Sequence, residues 1–178
     1  MEDFKKLTEQ LFKIYSNSKS VDDLEIENYF DENISIIGTG VHEIYGNLQE
    51  FRDSFKFDVK QRGKIRIDTR NLCQKEEQLD DHHVLTQGTV DFVGLFEDGS
   101  ICFKMNTRFT IIYRWTGKKW LVQHLHQSVP DQEQMDGEEF PLSLGKQVKE
   151  NRQALLALGT ALSLIHISEP TRLDVISY

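Results

Sequence analysis

The spacing of the apolar residues changes at Gly63 from a helical period to a period of two, and that change bounds the fold. Before it, Phe4, Leu7, Leu11 and Ile14 recur at helical spacing, and so do Leu48, Phe51, Phe55 and Val59. After it, apolar and polar residues alternate as far as Val129. The alternation is interrupted at Asp80-Asp81, Asp98-Gly99 and Thr116-Gly117, each a turn signal. This predicts four long strands, near Lys64–Gln74, His83–Phe96, Ile101–Trp115 and Lys119–Val129. Ser20 stands ahead of Val21, Asp22 and Asp23, a helix-capping pattern with acid in the first turn. A short second helix is expected to end there near Tyr29 and Phe30. Residues 34–45 read as two short strands around Gly38 and Gly40, and Gly46-Asn47 can start the third helix. The class is α+β.

The roughly 160 residues ahead of Leu162 suit one domain with a good core, and the eleven Phe, five Tyr and two Trp of the chain supply the walls of a pocket. The net charge of −8 without a basic run argues against a direct nucleic-acid partner. Cys73 and Cys102 are too far apart for a zinc knuckle and read as free thiols in a reducing cytosol. The N-terminus MEDFKKLTEQL lacks a signal-peptide core, and no stretch approaches the roughly 20 apolar residues of a membrane span. A cytoplasmic protein without membrane contact is expected.

From Pro130 to Pro141 the chain is acidic and polar, as a loop or wrapping arm would be. Leu144 to Ala161 is helical in character, with Val148, Leu155 and Leu158 as a seam. Residues Leu162–Arg172 read LSLIHISEPTR, the in-frame translation of a common sequencing adapter. Ile176-Ser177-Tyr178 match the adapter segment beyond its barcode. The expected division is a domain at 1–142, a helical linker at 143–161 leading to a missing output domain, and an adapter-derived tail at 162–178.

Three groups of residues carry a family resemblance: Arg108-x-Thr110, then Gly117-Lys118-Lys119-Trp120-Leu121-Val122, then His124-x-His126-x-Ser128. With the element order they resemble the nuclear transport factor 2-like fold, and within it the SnoaL-like family, from about Phe4 to Pro130. The resemblance implies a cone: a curved mixed or antiparallel sheet with helices on its concave face. The later Gly137-Glu138-Glu139-Phe140-Pro141-Leu142 looks like SnoaL-like domains at the N-terminus of bacterial signalling proteins. Activities in the family are diverse, so fold does not settle function.

Strict alternation puts Trp120, Val122, His124, His126 and Ser128 on one face, and the two apolar residues make it the inner one. A Thr116-Gly117 loop would force a β-branched residue to positive φ. A three-residue loop with left-handed Gly117 instead pairs Arg114 with Lys118, Arg108 with His124 and Asn106 with His126. The expected ligand site is therefore Asn106, Arg108, His124, His126 and Ser128, donors suited to an anionic small molecule. Asp91 joins that cluster after a two-residue Asp98-Gly99 turn and points outward after a three-residue one; the outward placement leaves the better core face. His-x-His is a metal-ligand spacing, but without a third ligand no metal is expected, and no cofactor is implied. The leading expectation is a ligand-binding, dimerising sensory domain. A SnoaL-like cyclase or isomerase using His126 or Asp91 in acid–base catalysis is the alternative, and an association domain without a ligand is a third. Leu121, Leu125, Val129, Phe109 and Ile111 read as an apolar outer patch, with Gln123 and Gln127 on the same side, so a homodimer packed sheet to sheet is expected.

Overall fold

Helix α1, Phe4–Lys13, starts where the Asp3 carboxylate accepts the Lys6 N–H at 3.0 Å, and it buries Phe4, Thr8, Leu11 and Phe12 along one stripe. The computed structural model describes residues 3–16, 26–131 and 133–168. The expected cap at Ser20 lies outside these residues, as does the tail beyond Ser168. A single 3-10 turn occupies Ile26–Asn28. Phe30, expected at a helix end, is instead the first residue of β1, Phe30–Ile37.

Strand β2 is Ile44–Tyr45, and α2 runs from Leu48 to Arg62. Asn47 caps α2 by accepting the Glu50 N–H at 2.9 Å, and Gly63 closes it at φ 56°. Then come β3 Arg66–Gln78, β4 His83–Leu95, β5 Ile101–Trp115 and β6 Trp120–Ser128. With β1 and β2 they form one curved, unclosed mixed sheet in the order β2-β1-β6-β5-β4-β3, in which β1 and β6 pair in parallel and the other neighbours antiparallel. The α+β cone expected from sequence is the fold observed.

The two helices cover one face of this sheet. Phe12 of α1 packs edge-on against Phe92 and Phe109 at 5.5 and 5.2 Å between ring centroids. Phe4 lies 5.1 Å from Trp120, and the Thr8 and Tyr113 hydroxyls meet at 3.0 Å. Phe51 of α2 packs on Phe30 at 5.0 Å. The core face therefore carries Val84, Val90 and Phe92 on β4, Phe109, Ile111 and Tyr113 on β5, and Val122 and Leu125 on β6.

Irregularities place the side chains. On β3 the pairing slips between Arg70 and Cys73, and Asn71 adopts a left-handed φ of 55°. Opposite that bulge, a Cβ on Gly88 would lie 1.9 Å from the Cys73 carbonyl oxygen, so the close backbone approach requires glycine. On β6 the pairing runs Tyr113↔Val122 and then Ile112↔His124, leaving Gln123 as an extra residue.

The chain divides into two compact units, Met1–Pro130 and Asp131–Tyr178. In the second, α3 spans Leu142–Ser168 and exposes Val148, Leu155 and Leu158. Its first turn is tied to the preceding loop by the Glu138 carboxylate, which accepts the Ser143 N–H at 3.1 Å. Among the described residues no helix is long and apolar enough to cross a membrane.

Candidate functional site

The Gln123 bulge decides which polar residues face the helices. Alternation resumes beyond it with the opposite sense, because one inserted residue reverses every later side chain. Val122 stays inward, Leu125 and Gln127 come next on that side, and His124, His126 and Ser128 turn outward. Arg108 lies opposite Ser128, Thr110 opposite His126 and Ile112 opposite His124. The expected pairing of Arg108 with His124 is thus slipped by four positions along β6: three because the turn uses Gly117-Lys118, with Thr116 N–H donating to the Lys119 carbonyl at 3.0 Å, and one from the Gln123 bulge.

Arg108, His124, His126 and Ser128 do share a face, and it is the outer one, away from the helices. Arg108 is exposed and donates to the Val129 carbonyl at 3.1 Å. His124 is half-buried, with Nδ1 2.7 Å from the Ser35 hydroxyl. Partial burial and the neighbouring His126 hold its imidazole below the ordinary value. His126 is exposed.

Asp91 points outward, as expected, yet lies opposite Asn106. The Glu97-Asp98-Gly99 loop is followed by a register shift next to Leu95, which restores the pairing of a two-residue turn. Its carboxylate accepts from Asn71 at 2.7 Å and Asn106 at 2.9 Å and pairs with Lys104 at 3.0 Å. These contacts, the Asn106 hydrogen bond foremost, hold it down at about 2. It is an ionised strut of the outer face at neutral pH. The apolar outer patch is also corrected, because Phe109, Ile111 and Leu125 are buried under the helices and Gln127 points inward with them.

The concavity lies elsewhere, between β1, the β1–β2 loop, α2 and the inner face of the sheet. It has a volume of about 280 Å³, just under the roughly 300–1,000 Å³ of ligand pockets. Its walls are aromatic, including Tyr15, Tyr45, Phe51, Phe55 and Phe92, and its polar side chains include Thr39, Glu43, Ser54, Asp58, Arg62 and Gln127. Ser54, Asp58 and Arg62 succeed one another at four-residue steps on α2, beside Phe51 and Phe55. Their spacing was a readable signal, a polar stripe adjoining the apolar one. Gln127 had no such signal, since its direction depends on the bulge.

Within the cavity the charged groups constrain one another. Arg62 Nε lies 3.2 Å from Asp58, Nη1 donates to the Tyr15 carbonyl at 2.5 Å, and the guanidinium sits 5.7 Å from the Phe55 ring centroid. Glu43 Oε2 accepts the Gly40 N–H at 2.8 Å. The Tyr45 and Ser54 hydroxyls meet at 2.5 Å. Burial pushes the Asp58 carboxyl above its ordinary range; Arg62 pulls it down and Glu43 pushes it up. Burial, then Glu43 and Asp58, raise the Tyr15 phenol. Among the described residues no group of three His, Cys, Asp or Glu could hold a metal ion.

Solved structures share this architecture at low identity. A putative calcium/calmodulin-dependent protein kinase II association domain from Xanthomonas campestris is 16% identical, with a TM-score of 0.55 over 72% of this chain and 84% of that one. A nuclear transport factor 2-like protein of unknown function from Pseudomonas putida is also 16% identical, with a TM-score of 0.55 over 73% and 87%. Aln2 from a Streptomyces species reaches a TM-score of 0.58 at 6% identity, over 71% and 87%. These likenesses establish the fold alone. No curated protein matches the chain. The SnoaL-like domain family model matches residues 6–132, and the chain belongs to the SnoaL-like family.

Proposed function

We propose that the first unit is a small-molecule-binding domain whose ligand occupies the cavity between α2 and the sheet. The observation that carries this is the combination of an open, aromatic-walled volume with a few polar groups converging on it, the usual make-up of a ligand site. The finer reading is a sensory domain, in which occupancy of the cavity is relayed to a partner or to a further domain. A titration of the ¹⁵N-labelled chain with a fragment set tests the first step. Perturbed amides are expected around Ser54, Asp58, Met105 and Gln127. Perturbations confined to Arg108, His126 and Ser128 would return the site to the outer face.

An acid–base enzyme is the second reading, and Asp58 carries it. A carboxyl in a cleft whose proton affinity is raised by burial is suited to donating or accepting a proton. That role moves from His126 and Asp91, neither of which lines the cavity.

A further inference from the structure

We infer that the cavity selects an organic ammonium ion with an apolar body, and not an anion. The inference rests on the cavity being the ligand site. The charged groups lining it are Glu43, Asp58 and Arg62, so acid outnumbers base. Arg62 is already engaged by Asp58, the Tyr15 carbonyl and the Phe55 ring. It cannot turn to an incoming anion without leaving Asp58 uncompensated, and an anion would also meet Glu43. A cation would relieve the repulsion between Glu43 and Asp58.

The walls support the same choice. Tyr15, Tyr45, Phe51, Phe55 and Phe92 present aromatic surface to one small volume. Rings in such an arrangement attract cations through their quadrupoles, and the Phe55 ring already receives a guanidinium here. The independent sign of a ligand is Gln127. It is 8% exposed, lines the cavity, and its side-chain amide has no hydrogen-bonding partner among the described residues. Its amide opens into the cavity, where a polar group of a ligand can pair with it. The ligand then has an ammonium for the carboxylates, an apolar body for the rings and a hydrogen-bonding group for Gln127.

Three probes of similar shape and different charge test this on the full ¹⁵N-labelled chain: phenethylammonium, 2-phenylethanol and phenylacetate. Phenethylammonium is expected to bind about tenfold or more tighter than phenylacetate, the scale of one favourable cation–π or charge contact. It should shift the backbone amides of Ser54 and Asp58 and the side-chain amide of Gln127. Glu43→Gln with Asp58→Asn should abolish that preference. Phenylacetate binding as tightly as phenethylammonium in the unmodified chain would overturn the proposal, and needs no variant. If only 2-phenylethanol or phenylacetate shifts cavity resonances, the cavity stands as the site and its charge selectivity falls. If no probe shifts a cavity resonance, both readings fall.

Discussion

Asp91 and Asp58 are the same residue type pushed in opposite directions by their neighbours. Asp91 is held at about 2 by Asn106, Asn71 and Lys104, whereas an unfolded Asp titrates near ~3.9. A lowered native value stabilises the fold above the unfolded one, and the contribution is lost as pH falls from about 4 towards 2. Asp58 is raised, chiefly by burial, so its contribution is complete below about pH 4 and lost as pH climbs through its native value. Thermal unfolding against pH should therefore lose part of its acid limb in Asp91→Asn and part of its decline above pH 4 in Asp58→Asn. Identical profiles in variant and parent would contradict the assignments. Thr107 makes a further case. Its hydroxyl is buried with no partner among the described residues, on the face under the helices. Thr107→Val keeps the β-branch and removes the buried donor, so urea unfolding should show a gain of about 1 kcal/mol.

At the scale of elements, β6 is where local pattern and tertiary pairing part. Its residues alternate cleanly from Trp120 to Ser128 in sequence, yet the bulge at Gln123 divides them into two opposed halves. Deleting Gln123 should be far more damaging than Gln123→Ala. Without the extra residue, either Val122 and Trp120 or Leu125 and Gln127 must leave the core face. Equal urea midpoints for the two variants would argue against the bulge. Leu125 is fully buried, so Leu125→Ala should cost about 2–5 kcal/mol, and Leu125→Glu should unfold the domain, not separate a dimer. Circular dichroism distinguishes those outcomes.

On the scale of the molecule, the sheet leaves one face uncovered by α1 and α2. That face carries Ile37, 41% exposed, and half-buried Ile112 among Ser35, His124, His126 and Arg108. The homodimer is a proposal that must now rest on these residues. Light scattering on the full chain at tens of micromolar should give twice the monomer mass, and Ile37→Glu should halve it. A monomeric parent would remove the dimer and leave the sensory reading with no assembly to modulate.

Sequence alone determined the helices at Phe4 and Leu48 and the long strands after Gly63, while the family-level architecture was implied by the resemblance of the last two strands; of these, the helices and strands have local causes. Each arises from short-range periodicity, caps and turn residues, which act within a few positions of themselves. It also supplied the polar stripe of Ser54, Asp58 and Arg62, although the apolar stripe beside it drew the reading to the core. The faces of β5 and β6 were decided only in the folded sheet. A bulge costs one residue and has no composition of its own at Gln123, while its consequence runs to the end of the strand. Alternation alone therefore makes Arg108, His124 and His126 companions on one face, but which face depends on the pairing with β1 and β5. The cavity of Glu43, Asp58, Arg62 and Gln127 joins a loop, a helix and a strand that are distant in the chain, and only their packing brings those groups to one ligand.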